Sequence, residues 1–294
     1  LYVVDGVVMP INDLPMGDIE SMQVLKDGSA AAIYGSRAAN GVVIITTKRG
    51  KAGDLKINYK GSVGVQNIAN RYEVANREEY QMLVNEATTN ANDPRFQIMP
   101  ANNTSNPLFV KNTDTNWQDE VFKTGKISDH TVNISGGSQT STFNISMNYF
   151  DQTGTVVGKG PKYDRYSISV NSDHTKGKFK FGESVHYTVA DQKLMSFVHD
   201  GTILGFTVSA IPTIPVYDSK TMDGYGASDK TVDGSYTANV IGFNEMIDSS
   251  TKRFRFSGNA YGEYAILKDL KYKLSLSYER TDWRDFHFDP KHNL

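Results

Sequence analysis

The sequence predicts a mainly β chain: about seven antiparallel strands of a transmembrane barrel, preceded by a small α+β unit. Three observations predict it. Apolar and polar residues alternate with period two in successive stretches between Lys56 and Glu279. Long and short connections alternate between those stretches. Only 38% of the 294 residues are hydrophobic and mean hydropathy is −0.44, so no apolar run reaches the roughly 18 residues of a membrane helix. Low mean hydropathy is still compatible with a membrane strand, which shows lipid only every second side chain.

The first fifty residues read as the α+β unit. Leu1–Val4 and Val7–Met9 form a small hairpin through Asp5-Gly6. Ile19–Leu25 is apolar and β-competent, a strand. Asp27 and Ser29 are helix caps, Ala30, Ala31 and Ala32 favour helix, and Gly35 ends it with positive φ. Asn40-Gly41 suits a type I′ turn, and Val42–Thr47 is a β-branched run suited to burial on both faces. Local structure alone fits an ordinary α+β core equally well.

The strand ladder follows. Ile57, Tyr59, Gly61, Val63 and Val65 share one face, opposite Lys56, Asn58, Lys60, Ser62, Gly64 and Gln66. Val132 and Ile134 pair within His130–Gly136. Phe143, Ile145, Met147 and Tyr149 oppose Thr142, Asn144, Ser146 and Asn148. Tyr166, Ile168 and Val170 oppose Ser167, Ser169 and Asn171. Phe179, Phe181, Val185, Tyr187 and Val189 oppose Lys178, Lys180, Ser184, His186 and Thr188, with Glu183 breaking the apolar face. Phe254, Phe256, Ala260, Tyr264 and Ile266 form the next apolar face, and Tyr272, Leu274, Leu276 and Tyr278 the last.

Alternation alone fits a soluble sandwich as well as a barrel. Connection lengths separate the two. Stretches near 67–129, 151–162 and 190–252 are long or medium, while 136–139, 173–177 and 267–270 are short. A barrel sends its long loops to the outer end and its short turns to the other; a sandwich has no reason to. The apolar faces then meet lipid and the polar faces line the lumen, and only closure satisfies every backbone group. Within the first long loop, Asn76–Ala87 reads as a helix capped by Asn76 with Glu79 at the reciprocal position, and Asn92–Asn106 as irregular.

Composition excludes several classes. There is no Cys, hence no disulfide and no thiolate metal site, and a net charge of −2 gives no case for nucleic acid. No Gly-x-Ser-x-Gly or His-Glu-x-x-His occurs, and Gly154–Lys159 is one residue short of a phosphate loop. No catalytic residue, resident metal or cofactor is expected, and the chain is not read as an enzyme. Asp218, Asp223, Asp229 and Asp233 crowd the third long loop, an oxygen cluster that suits calcium or simply a polar surface. Trp117, Tyr225 and Tyr236, with Phe109 and Phe243, are loop aromatics that stack on a ligand or lid, or pack within the loops.

The stretch from Asp18 to Lys48, after Leu1-Tyr2-Val3-Val4-Asp5-Gly6, resembles the end of the plug domain of TonB-dependent transporters. Its Ser36-Arg37-Ala38-Ala39-Asn40-Gly41 version resembles the SusC/RagA family. Asp18, Glu20, Lys26, Tyr34, Gly35, Arg37, Asn40 and Gly41 carry that signature, and Glu20, Lys26, Asp27 and Arg37 are candidates to pair with lumen charges or to lie on the surface. Asn116–Phe122, Asp151–Val157 and Asp164–Tyr166 resemble family segments further on. The resemblance implies that 1–52 is the C-terminal part of a plug and 53–294 the first strands of a plugged barrel of about 22 strands, the chain being an internal fragment. It implies TonB-driven import across the outer membrane, with a TonB complex, membrane lipid, a SusD-like surface lipoprotein as lid, and an oligosaccharide or peptide as cargo. A siderophore or vitamin receptor of the same architecture, and a soluble carbohydrate-binding sandwich, are the alternatives.

Overall fold

A computed structural model describes residues 1–26, 32–93, 96–195, 203–234 and 236–291. The chain forms two sheets. The first holds β1 (Tyr2–Val4), β2 (Val7–Val8), β3 (Ile19–Leu25) and β4 (Val42–Thr47) in the order β2-β1-β4-β3. Asp5 (φ 47°) and Gly6 (φ 87°) both turn left-handed, the geometry of a type I′ hairpin joining β1 to β2. β4 runs parallel to β1 and antiparallel to β3, with Val42 and Ile45 buried and Thr46 exposed. Burial on both faces is therefore only partial.

Two local expectations change. The helix is a 3-10 segment, Ala32–Ala38, kinked at Gly35 (φ 66°); Asp27, Ser29, Ala30 and Ala31 lie outside the described residues. Asn40-Gly41 is not a type I′ turn. Only Gly41 takes a positive φ, and its N–H donates back to Ala38 O at 2.8 Å, so the link is the tail of the 3-10 segment.

The second sheet is an antiparallel meander of seven strands in chain order: β5 (Gly53–Gln66), β6 (Gly125–Gly137), β7 (Ser141–Thr153), β8 (Lys162–Lys176), β9 (Phe179–Lys193), β10 (Asp248–Leu267) and β11 (Leu270–Phe288). All seven expected strands are present, and most run longer than their alternating segment. The added ends break the strict alternation, through runs such as Asp248–Arg253 on β10 and Arg280–Asp282 on β11, without interrupting the hydrogen-bond ladder. Long and short connections alternate as expected: 67–124, 154–161 and 194–247 against 138–140, 177–178 and 268–269.

The partition across this sheet is inverted relative to a soluble core. Asn171 is 1% exposed and Ser257 0%, whereas Ile168 is 38% and Leu276 68% exposed. The apolar faces do not meet one another, so the sandwich alternative is excluded. Aromatic pairs mark two levels of the apolar face. Tyr149 contacts Tyr166 toward the long loops and Phe256 contacts Tyr278 near mid-strand, while His174–Phe181 and Phe179–Tyr264 lie near the short turns. Such girdles sit at the two edges of a hydrocarbon layer.

Above the long-loop end, the connections pack on one another. They carry α1 (Arg77–Ala91), α2 (Trp117–Val121), α3 (Ile203–Ser209) and α4 (Val240–Met246). The expected capping box is made: Glu79 N donates to Asn76 Oδ1 at 3.0 Å and Asn76 N to Glu79 Oε2 at 3.1 Å. Trp117, Val121, Val156, Ile203, Ile211 and Val240 form one buried cluster drawn from three separate connections. Among the described residues no helix is long and apolar enough to cross a membrane.

If the apolar face meets hydrocarbon, Ile168→Arg in the full-length protein destabilises the inserted barrel by about 2–4 kcal/mol, read from urea unfolding in lipid vesicles. Replacing the neighbouring inner residue Ser167 with Ala then costs far less, because a serine facing a polar lumen has no lipid to avoid.

Candidate functional site

The small sheet lies against the polar face of β7–β10 and is anchored there by three carboxylates. None of them is on a strand. Asp5 is in the β1–β2 turn, Asp13 in the β2–β3 loop, and Asp18 ends the short 3-10 turn Met16–Asp18 before β3. Asp13 and Asp18 are buried, and the Asp5 side chain is 1% exposed.

Asp5 and Asp18 are tied together through the larger sheet. Asp5 accepts from Thr47 N at 3.0 Å and Thr47 Oγ1 at 2.5 Å, and its Oδ2 lies 3.2 Å from His186 Nε2. His186 Nδ1 is 3.0 Å from Ser169 Oγ, which donates to Asp18 Oδ2, also at 3.0 Å. Ser146 Oγ donates to the other oxygen of Asp18. Asn171 Nδ2 adds bonds to Thr47 Oγ1 and Lys48 O. Burial by itself raises the Asp5 carboxyl. The bonds from His186 and from both Thr47 donors together outweigh it and hold Asp5 below the usual carboxylate range.

Asp13 carries the ion pairs. Arg253 Nη2 donates to Oδ1 at 2.8 Å and Tyr163 OH to the same oxygen at 3.2 Å. Arg255 Nη1 sits 2.8 Å from Oδ2 as an ion pair, without hydrogen-bond alignment, and also donates to Pro10 O at 3.2 Å. The chain leaves this seam through Arg49, which bonds Asp173 and Ser184. At Gly50 a Cβ would collide with the backbone of Phe143, so the crossing from one sheet to the other needs glycine.

The barrel-like meander, its inverted partition and the acidic turns seated against it agree with the comparisons. Residues 1–42 match the TonB-dependent Receptor Plug Domain. The TonB-dependent receptor SusC of Bacteroides thetaiotaomicron is 35% identical over 93% of this chain and 26% of its own length. The TonB-dependent receptor P3 of Formosa agariphila is 30% identical over 99% of this chain and 27% of its own length. The chain belongs to the SusC/RagA family. The solved RagAB peptide transporter covers 97% of it at 25% identity with a TM-score of 0.79, and this chain spans 35% of that one. This chain thus spans about a quarter of the curated relatives' length. The small sheet is plug, the meander is transmembrane barrel wall, and the family resides in the outer membrane.

Of the signature residues, Asp18 bonds across the plug–barrel seam, and Glu20 lines a cleft at its edge with Asn133 and Asn144. Tyr34 is half-buried against Ala38 and Val42, and Gly35 and Gly41 supply positive φ. Glu20, Lys26, Arg37 and Asn40 are exposed, and Asp27 lies outside the described residues. The pairing with lumen charges is made instead by Asp5, Asp13 and Arg49. Inward parity could have found Arg253 and Arg255, which alternate with outward Phe254 and Phe256. Nothing local distinguishes Asp13.

Among the loop aromatics, Trp117 is 2% exposed and donates its indole N–H to Ile211 O at 3.0 Å. It packs within the loop layer and offers no surface. Phe243 is also buried. Tyr225 is half-buried against Tyr217, whereas Tyr236 is 47% exposed. An apolar cleft of about 420 Å³ opens nearby between Tyr72, Phe122, Leu204 and Val208. The loop aspartates cap their own turns: Asp218 accepts from Lys220 N, and Asp233 from Asp229 N. Among the described residues no three His, Asp or Glu side chains converge on a metal-sized point.

Asp13→Ala in the full-length receptor strands two paired arginines and loosens the docked plug by about 3–5 kcal/mol, seen as lost hydrogen-exchange protection in β1 and β4. The Asp5 contribution has the opposite pH sense to a histidine switch. Its carboxyl is depressed in the docked state, so its stabilisation is present above the usual carboxylate range and fades as pH falls through the lowered value. Protection of the Asp5 turn therefore drops on acidification below about pH 4, and Asp5→Asn flattens that dependence.

Proposed function

We propose that this chain is the plug end and first wall of an energised outer-membrane importer. The single observation that carries the reading is the seam. The plug seals a polar lumen by burying three carboxylates against it, so passage requires those bonds to be broken by work from outside the barrel. A TonB complex pulling on the plug supplies that work. The cargo is an oligosaccharide or a peptide, delivered through a SusD-like surface lipoprotein that closes over the long loops. The neighbour named a peptide transporter supports the peptide class, and the oligosaccharide class rests on the family resemblance.

Recognition requires binding and release, not bond cleavage, and the chain is not an enzyme on this reading. Tyr236 is exposed and Tyr225 half-buried against the Trp117 cluster, so both are candidates to meet cargo or lid, whereas Trp117 is buried within that layer.

The full-length protein expressed with a surface lipoprotein encoded beside it tests the proposal. Expected is a co-purifying pair that accumulates labelled oligosaccharide or peptide only while the inner membrane is energised. Accumulation of a metal chelate or a vitamin by the receptor alone overturns it.

A further inference from the structure

The wall around Asp13 holds more cation than the plug requires. Cross-strand register sets Phe150, Arg165, Ala190, Arg253 and Trp283 side by side on the inner face, one from each of β7 to β11. Arg255 lies two residues deeper on β10. Two guanidinium groups therefore pair with one carboxylate, and a third lies two strands away in the same row. Arg253 and Arg255 hold Asp13; Arg165 donates to Asn148 Oδ1 at 3.0 Å and lies over the Phe150 ring at 5.2 Å. The other acids nearby are less direct. Glu279 Oε1 is 3.7 Å from Arg255 Nε, and Asp129 reaches Arg165 only through Asn148. Arg165 is buried, yet its Nε has no hydrogen-bond partner, and neither has Nε of Arg253.

We propose that Arg253, Arg255 and Tyr163, with Arg165 beside them, form a carboxylate site that Asp13 occupies at rest and the cargo occupies in transit. The inference rests on the import reading and names its substrate class: cargo bearing carboxylates, either an acidic peptide or a uronic-acid oligosaccharide. The argument is one of exchange. Withdrawing Asp13 with the plug leaves two guanidinium groups, Arg253 and Arg255, facing the lumen with that partner gone, which is costly. A carboxylate on the cargo restores the bidentate-capable geometry already set by the strands, and a neutral cargo cannot. Phe150 and exposed Trp283 flank the arginines in the same row and offer ring faces to the rest of the chain or sugar.

The experiment uses the full-length receptor with its lipoprotein and two matched cargo pairs: an acidic peptide and its methyl ester, and an oligouronide and its methyl ester. Wild type is expected to take up one acid at least about tenfold better than its ester. The pair that discriminates names the source of the carboxylate. Arg165→Gln, which leaves the Asp13 contacts in place, is expected to lower the acid-to-ester ratio several-fold, and Arg165→Lys to restore part of it. Equal uptake of acid and ester by wild type overturns the proposal whatever the variants do. Uptake of none of the four, with a neutral oligosaccharide accumulated instead, also overturns it while leaving the import reading standing. No accumulation of any peptide or oligosaccharide removes the import reading and this inference together.

Discussion

Everything in this molecule depends on a strand that must satisfy two solvents at once. One face meets hydrocarbon, which accepts no hydrogen bond; the other meets a polar plug and lumen. The backbone resolves its own polar groups by pairing in an unbroken meander, and the side chains resolve theirs by parity. That is why Ser257 and Asn171 are buried while Leu276 is exposed, the reverse of a soluble core. The same constraint puts the long loops at one end, where they fold into a small apolar layer of their own around Trp117 and Val240.

The plug is fastened by charge and hydrogen bonds rather than by apolar area. Its own sheet buries Val4, Ile45 and Leu14 in a modest core, and the bonds that join it to the barrel run from its carboxylates to barrel hydroxyl, imidazole and guanidinium groups. Buried pairs of this kind add little net stability, since desolvation offsets attraction, but losing one partner is expensive. A contact with those properties is geometrically specific at rest and, once water reaches it, has little adhesive surface left to hold. Apolar packing would have no such threshold. Asp5 sits in the type I′ turn, Asp18 on the 3-10 turn and Asp13 in the turn closed by Leu14 N to Ile11 O, so the carboxylates are positioned by backbone turns and not by long flexible side chains.

Much of the architecture was legible along the chain. Each of the seven strands announced itself by alternation, and the Asn76–Glu79 capping box is visible as residues and present as bonds. Strand ends are not, because strict alternation lapses while backbone pairing continues. The short plug helix is a 3-10 segment kinked at Gly35, and alanine propensity does not distinguish an α turn from a 3-10 turn. Trp117 was a candidate surface for ligand because aromatic content says nothing about which neighbour covers it.

The sequence by itself determined the membrane-wall character, the orientation of each strand's two faces and the family, since these are properties of spacing and of ordered local identity. Only the tertiary structure decided the seam. Asp13 and Arg253 are 240 positions apart, and Asp5 and His186 are 181 apart. Their pairing follows from how one sheet docks inside the other, and no local periodicity carries that information.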